Sequence, residues 1–280
     1  MAVSTQLFDL TGKSALITGG ASGLGLAMAQ ALRAHGAKVL VGSRTQDKVQ
    51  DAVAQLQASE LEPGDDAEPK VAGVVLDVAR RESVVRAVRK SVDLFGGLDI
   101  LINAAGVTRK VPTFELDDDE AATLYDIHVL GSLRAAQEAG HLFREQHAGC
   151  IINVASIASY GALTEVTAYA AAKSAVLGLT RNLATEWAKH GIRCNAIAPG
   201  FIPTDLNRHL IEGTDRGRRV IERTPMGRFG TAEEVVGAAV YLASPAGAFV
   251  NGQTLVVDGG FLSCAVGDAE APWAGSDRES

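Results

Sequence analysis

Short apolar runs recur along the chain at Ser14–Thr18, Lys38–Gly42, Val71–Leu76, Leu98–Ile102, Cys150–Val154, Ile192–Ala198 and Gln253–Val257. They are rich in Val, Ile and Leu and mostly lack polar alternation, the pattern of strands buried on both faces. Between them the apolar positions fall at helical spacing. Leu24, Ala27, Met28, Ala31 and Leu32 form one such stripe, and Gly36 is its stop. Strands alternating with helices predict an α/β chain: a doubly wound parallel sheet of about seven strands with helices on both faces. The pattern predicts one domain over residues 1–263. It predicts a small, polar tail without fixed fold over 264–280. Residues 59–69 are polar and carry Pro63 and Pro69, and they read as an extended loop before the third strand. The run from Tyr169 to Ala188 is alanine-rich and apolar on several sides, so more than one of its faces must be covered.

The first strand leads directly into Gly19-Gly20-Ala21-Ser22-Gly23-Leu24-Gly25 and then a helix. Strand, glycine-rich turn and helix is the setting in which a glycine motif reads as a phosphate site. The glycines let the backbone approach a pyrophosphate, and the helix N-terminus offers free N–H groups. The second strand ends in Ser43-Arg44 instead of the acid that would hold a ribose 2′-hydroxyl. An arginine there can pair a 2′-phosphate, so NADP(H) is expected over NAD(H).

Tyr169 and Lys173 are four residues apart, which places phenol and ammonium on one helical face. A nearby cation favours phenolate, and it draws the tyrosine pKa of about 10 toward working pH. A phenol tuned in this way moves protons near neutrality. Ser156 follows the strand Cys150–Val154, where its hydroxyl can hold a carbonyl or carbinol oxygen. An isolated Tyr-x-x-x-Lys pair also fits an exposed helix, so the weight rests on the three residues together with the glycine turn.

These residues resemble the short-chain dehydrogenase/reductase family, a Rossmann-like fold, over roughly Phe8 to Leu262. The resemblance runs through the glycine turn, Asp77-Val78, Asn103-Ala104-Ala105-Gly106, Ser156, Tyr169, Lys173, Pro199-Gly200-Phe201-Ile202-Pro203-Thr204 and Asp258-Gly259-Gly260. It implies that Asp77 and Val78 border an adenine, and that Asn103, Ala104 and Gly106 line the cofactor. It implies that Pro199, Gly200, Ile202 and Thr204 form the nicotinamide loop, and that Lys173 also bonds the nicotinamide ribose. Residues 205–222 become the substrate lid. The helices Asp126–Gly140 and Tyr169–Ala188 become contacts of a homotetramer. One departure stands out: His128 occupies the place of the family's asparagine, which helps hold a proton-relay water. An imidazole can donate and accept, so His128 is a candidate for that role. Gly106 to Pro112 further resembles the gluconate 5-dehydrogenase and keto-sugar-acid reductase branch, and Arg109 is then a candidate clamp for a substrate carboxylate. The alternatives are a 3-oxoacyl-(acyl-carrier-protein) reductase and a non-catalytic cofactor sensor.

The chain has 280 residues, of which 47% are hydrophobic and 21% charged, enough for a full α/β core. Its 30 glycines suit many tight turns. A net charge of −7 without a basic block argues against nucleic-acid or acidic-membrane partners. The three cysteines are scattered and fit a reducing, cytoplasmic setting, and no metal-binding motif is present. Neither a signal peptide nor a spanning stretch is expected.

Overall fold

The computed structural model describes residues 5–58, 70–204 and 207–265. The loop expected at 59–69, residues 205 and 206 of the expected lid, and residues 266–280 of the expected tail lie outside the described residues.

Seven strands form one sheet: β1 (Ser14–Thr18), β2 (Lys38–Ser43), β3 (Val71–Val75), β4 (Ile100–Asn103), β5 (Gly149–Val154), β6 (Ile192–Pro199) and β7 (Thr254–Val257). Their order is β3-β2-β1-β4-β5-β6-β7, and every neighbouring pair is parallel. Parallel pairing demands long crossovers. Helices α1 (Gly23–Ala34), α2 (Gln46–Ala58), α3 (Arg81–Phe95), α4 (Asp118–Tyr125), α5 (Gly131–Gln146), α6 (Thr167–Trp187), α7 (Arg208–Ile211), α8 (Asp215–Arg223) and α9 (Ala232–Ala243) lie between the strands.

Strand side chains alternate between two cores, because successive Cβ atoms point to opposite faces. Ala15, Ile17, Val39, Val41, Ile100 and Ile102 pack with Met28 and Leu32 of α1 and with Val235 and Leu242 of α9. Leu16, Leu40, Leu101 and Ile151 pack with Val84 of α3, Phe143 of α5 and Leu183 of α6. Each fully buried leucine or isoleucine of this kind contributes roughly 1.5–3 kcal/mol. Burial on both faces is why these strands read as continuous apolar runs.

Two elements differ from the sequence expectation. β4 begins at Ile100 instead of Leu98, because Asp99 turns its carboxylate to the start of β1. There it accepts from the Ser14 amide at 2.9 Å and meets Lys13 Nζ at 2.9 Å. The helix expected over Asp126–Gly140 is a composite. A π-helical turn, Asp126–Leu130, joins α4 to α5. Such turns insert a residue into the helical ladder and re-aim the side chains around it. Here the buried residue of the turn is His128.

The strand order reverses between β1 and β4. Open α/β sheets take ligands in the crevice outside the carboxyl ends at that reversal.

Candidate active site

The crevice at this position is an open cleft of about 340 Å³. Of the residues expected at the cofactor, it is lined by Gly19, Ser22, Gly23, Leu24, Gly25, Ser43, Arg44, Asp77, Val78, Ala104, Gly106, Tyr169, Lys173, Pro199, Gly200, Ile202 and Thr204. Asn103 is not among them. It is buried beneath the floor, with Nδ2 donating to Asn153 Oδ1 at 2.9 Å and to the Ser132 carbonyl at 3.3 Å. Asn153 in turn donates to Thr180 Oγ1 at 2.9 Å. These bonds tie β4, β5 and α6 together behind the site.

The glycine turn has a steric basis. Gly19 has φ +69°, and a Cβ there would meet the Ala105 Cα at 2.7 Å. A Cβ on Gly25 would run into the Gly19 carbonyl. The turn therefore leaves its backbone open at the start of α1, as a phosphate cradle requires.

Sequence reasoning missed Lys48. It lies in the first turn of α2 and lines the cleft beside Ser43 and Arg44. Both cations are exposed, and neither has an ion-pair partner among the described residues. The available signal was its place in the first turn of the helix that directly follows the second strand. Asn207 was missed as well. Its side chain accepts from the Thr204 amide at 2.8 Å and donates to the Ile202 carbonyl at 3.0 Å, holding the loop after β6 in shape.

At the inner end of the cleft Ser156, Tyr169, Lys173 and His128 come together. Ser156 follows β5 in extended conformation, and its hydroxyl accepts from the Ala158 amide at 3.1 Å. Lys173 is buried and donates to the Val154 carbonyl at 2.6 Å. Its Nζ lies 5.7 Å from the centroid of the Tyr169 ring. Burial lowers the lysine pKa to about 8. Burial also raises the Tyr169 phenol, while its hydrogen bond with Ser156 opposes that rise. The expected downward pull of Lys173 on the phenol is therefore not what dominates here: desolvation does, and the ammonium is engaged with a backbone carbonyl.

His128 is buried, with Nε2 at 2.8 Å from the Val107 carbonyl. The Val107 amide also lies 3.4 Å from Nε2, but the shorter contact is to the carbonyl, which can only accept, and it assigns the proton to Nε2 and leaves Nδ1 as an acceptor. Nδ1 has no hydrogen-bond partner among the described residues, and the ring edge that carries it lies against Gly106, where a Cβ would meet the imidazole. Burial first, and the Lys173 charge second, lower its pKa to about 3. The ring thus reaches the site neutral, edge-on to Tyr169 with centroids 5.4 Å apart.

A second cavity of about 140 Å³ adjoins the first. Ser156, Tyr169, Gly200 and Asn207 line both. Its other walls are apolar residues such as Leu163, Phe201 and Leu210, together with Lys110 and Arg216. Arg109 lies elsewhere: it is exposed, pairs with Glu120 and lines neither cavity. Consecutive residues in an extended loop point to opposite sides, so Lys110 faces inward where Arg109 does not. In the expected lid, α7 supplies Leu210 and Ile211, and α8 supplies Arg216. Arg208 and Arg218 pair with Glu212 and Glu222 on its outside.

Among the described residues no group of His, Cys, Asp or Glu is placed to hold a metal, and no helix is long and apolar enough to cross a membrane.

A parallel sheet with a glycine cradle at its reversal, and a serine, tyrosine and lysine at the inner end, defines a nucleotide-binding oxidoreductase scaffold. A family model described as enoyl-(acyl carrier protein) reductase matches residues 19–262, and the chain belongs to the short-chain dehydrogenase/reductase family. It is 36% identical over 263 residues to the 2-dehydro-3-deoxy-D-gluconate 5-dehydrogenase of Formosa agariphila, covering 93% of this chain and 97% of the relative. It is 35% identical over 255 residues to the gluconate 5-dehydrogenase of Gluconobacter oxydans, covering 91% of this chain and 96% of that one. The crystal structure of a gluconate 5-dehydrogenase from Burkholderia cenocepacia, in complex with NADP and tartrate, superposes with a TM-score of 0.86 at 35% identity. That match covers 92% of this chain and 98% of the other.

Proposed function

We propose that this protein is an NADP(H)-dependent oxidoreductase that interconverts a secondary alcohol and a ketone on a small hydroxylated acid of the gluconate/5-keto-gluconate type. The observation that carries this reading is the junction of the two cavities. Ser156 and Tyr169 stand at that junction, with the glycine cradle on one side and two cations, Lys110 and Arg216, on the other.

The cradle fits a dinucleotide, since Gly19 and Gly25 have no room for a Cβ and the cleft runs on to Arg44 and Lys48. The chemistry supplied by a nicotinamide bound here is hydride transfer to or from the substrate carbon. Ser156 holds the substrate oxygen. Tyr169 gives its phenolic proton to that oxygen during reduction and takes it back during oxidation. Lys173, anchored on Val154, keeps a positive charge beside the phenol and stabilises the phenolate. Neutral His128 packs edge-on against the phenol and fixes its position.

Absorbance at 340 nm tests the assignment, with NADPH and NADH in parallel, against 5-keto-D-gluconate and an acetoacetyl thioester. Turnover of the sugar acid with NADPH is expected. Turnover of the thioester alone moves the function to acyl reduction.

Cofactor choice has its own test. Replacing Arg44 and Lys48 together, Arg44→Ser with Lys48→Ala, raises KM for NADPH about tenfold or more, because charge-assisted bonds to a 2′-phosphate are lost. KM for NADH stays nearly level. Equal changes for both cofactors place these cations outside the phosphate site. Homology to the family supports a homotetramer built on α5 and α6, and the scattered cysteines support a reducing, cytoplasmic setting.

A further inference from the structure

Glu165 is in the left-handed region, with φ 65°. That conformation is uncommon for a residue carrying a Cβ, and it persists only where neighbours hold it. Three contacts hold this one. The Glu165 carbonyl accepts from the Val111 amide at 2.8 Å. The adjacent Thr164 carbonyl accepts from Arg216 Nη1 at 3.5 Å. The Glu165 carboxylate lies 2.9 Å from Lys110 Nζ. A strained corner is thus tied to the loop after β4 and to α8.

The charge balance of the adjoining cavity gives this corner a meaning. Among the described residues lining it, Lys110 and Arg216 are the charged groups, and no acid joins them. Glu165 is not part of the wall, yet it holds one of the two cations from outside. Arg109, which could have shared the task, is committed to Glu120.

We propose that Glu165 is a specificity-determining residue: an internal carboxylate that occupies Lys110 and is exchanged for the carboxylate of an incoming acid substrate. This rests on the sugar-acid reading of the same site. An acid that reaches Lys110 competes with Glu165 for its ammonium, whereas a neutral polyol leaves the pair intact. Glu165 therefore sets the affinity for anionic substrates and leaves the chemical step alone. Both partners are about one-third exposed, so the exchange is a small, tunable term.

The test is a double-mutant cycle on Glu165→Gln and Lys110→Met, read as kcat/KM for 5-keto-D-gluconate with NADPH. That ratio stays measurable even where KM is out of reach. E165Q is expected to raise kcat/KM about two- to fivefold through KM, the range of one exposed ion pair, with kcat unchanged. K110M lowers it, and E165Q then adds nothing in the K110M background. Glu165→Asn, which tolerates the left-handed backbone, reproduces the gain and replaces E165Q if that variant fails to fold. An E165Q gain that survives in K110M overturns the inference, as does a change confined to kcat or no change at all. Silence of the wild type toward the sugar acid overturns the functional reading and this inference with it. Turnover by the wild type with an additive cycle overturns this inference alone.

Discussion

Replacing Tyr169 with phenylalanine lowers kcat by about 10²–10⁴-fold, the usual contribution of a positioned proton donor, while the dissociation constant of NADPH stays within about twofold. Phenylalanine keeps the ring that packs edge-on against His128 at 5.4 Å and removes only the oxygen. The nucleotide cradle, Gly19 to Gly25, lies at the other end of the cleft and is left intact. Fluorescence titration with NADPH, beside turnover at 340 nm, separates binding from chemistry. Retained turnover removes Tyr169 from the proton path. Weakened NADPH binding in step with turnover shows that the phenol holds cofactor instead. Because burial raises the phenol, the wild-type enzyme favours the protonated form needed for reduction. Oxidation, which needs phenolate, gains rate as pH rises toward the phenol's pKa.

Lys173→Met has an effect of opposite sign on two readouts: turnover collapses while the cofactor-free protein becomes more stable. Burial lowers the folded-state pKa of Lys173 to about 8, against an ordinary value of 10.5. The unfolded chain therefore binds more protons between about pH 8 and 10.5, and wild-type stability rises with pH across that window. Below pH 8 the charged lysine stays buried at its full cost, about 3 kcal/mol for a depression of this size. Methionine fills the same space without the charge. The Val154 carbonyl loses its donor, at a cost of about 1–3 kcal/mol that offsets part of that gain. The net expectation is a higher Tm at pH 7 and the loss of the rise between pH 8 and 10.5, both measured by thermal melts of apo protein. A lower Tm at pH 7 shows that the bond to Val154 outweighs the burial of the charge. Residual oxidation in this variant appears only at higher pH than in the wild type, since no cation stabilises the phenolate.

Much of this molecule is readable in order along the chain. The apolar runs became β1 to β7 with ends shifted by one or two residues, because a strand buried on both faces admits few polar side chains. The glycine turn was legible because its requirement is local: no Cβ fits at Gly19 or Gly25. Tyr169 and Lys173 were legible because a helix fixes which residues share a face. Loops and buried charges follow no such period. Arg109 and Lys110 are adjacent in a loop, and their directions are chosen by Glu120 and Glu165, each brought near only by folding. Asn103 ends a strand in the expected motif, yet it turns down to Asn153 and Ser132 instead of into the cleft. His128 turns inward through a π-helical insertion that helical periodicity does not reveal. Lys48 reaches the cleft because α2 packs beside the end of β2.

The sequence by itself determined the sheet, the glycine turn at its reversal and the shared helical face of Tyr169 and Lys173, since each follows from backbone sterics or helical spacing. Only the tertiary structure decided which cations face the adjoining cavity, that burial raises the phenol, and that Glu165 stands opposite Lys110. Those outcomes depend on burial and on pairing between distant segments, which exist only once the chain has closed around them.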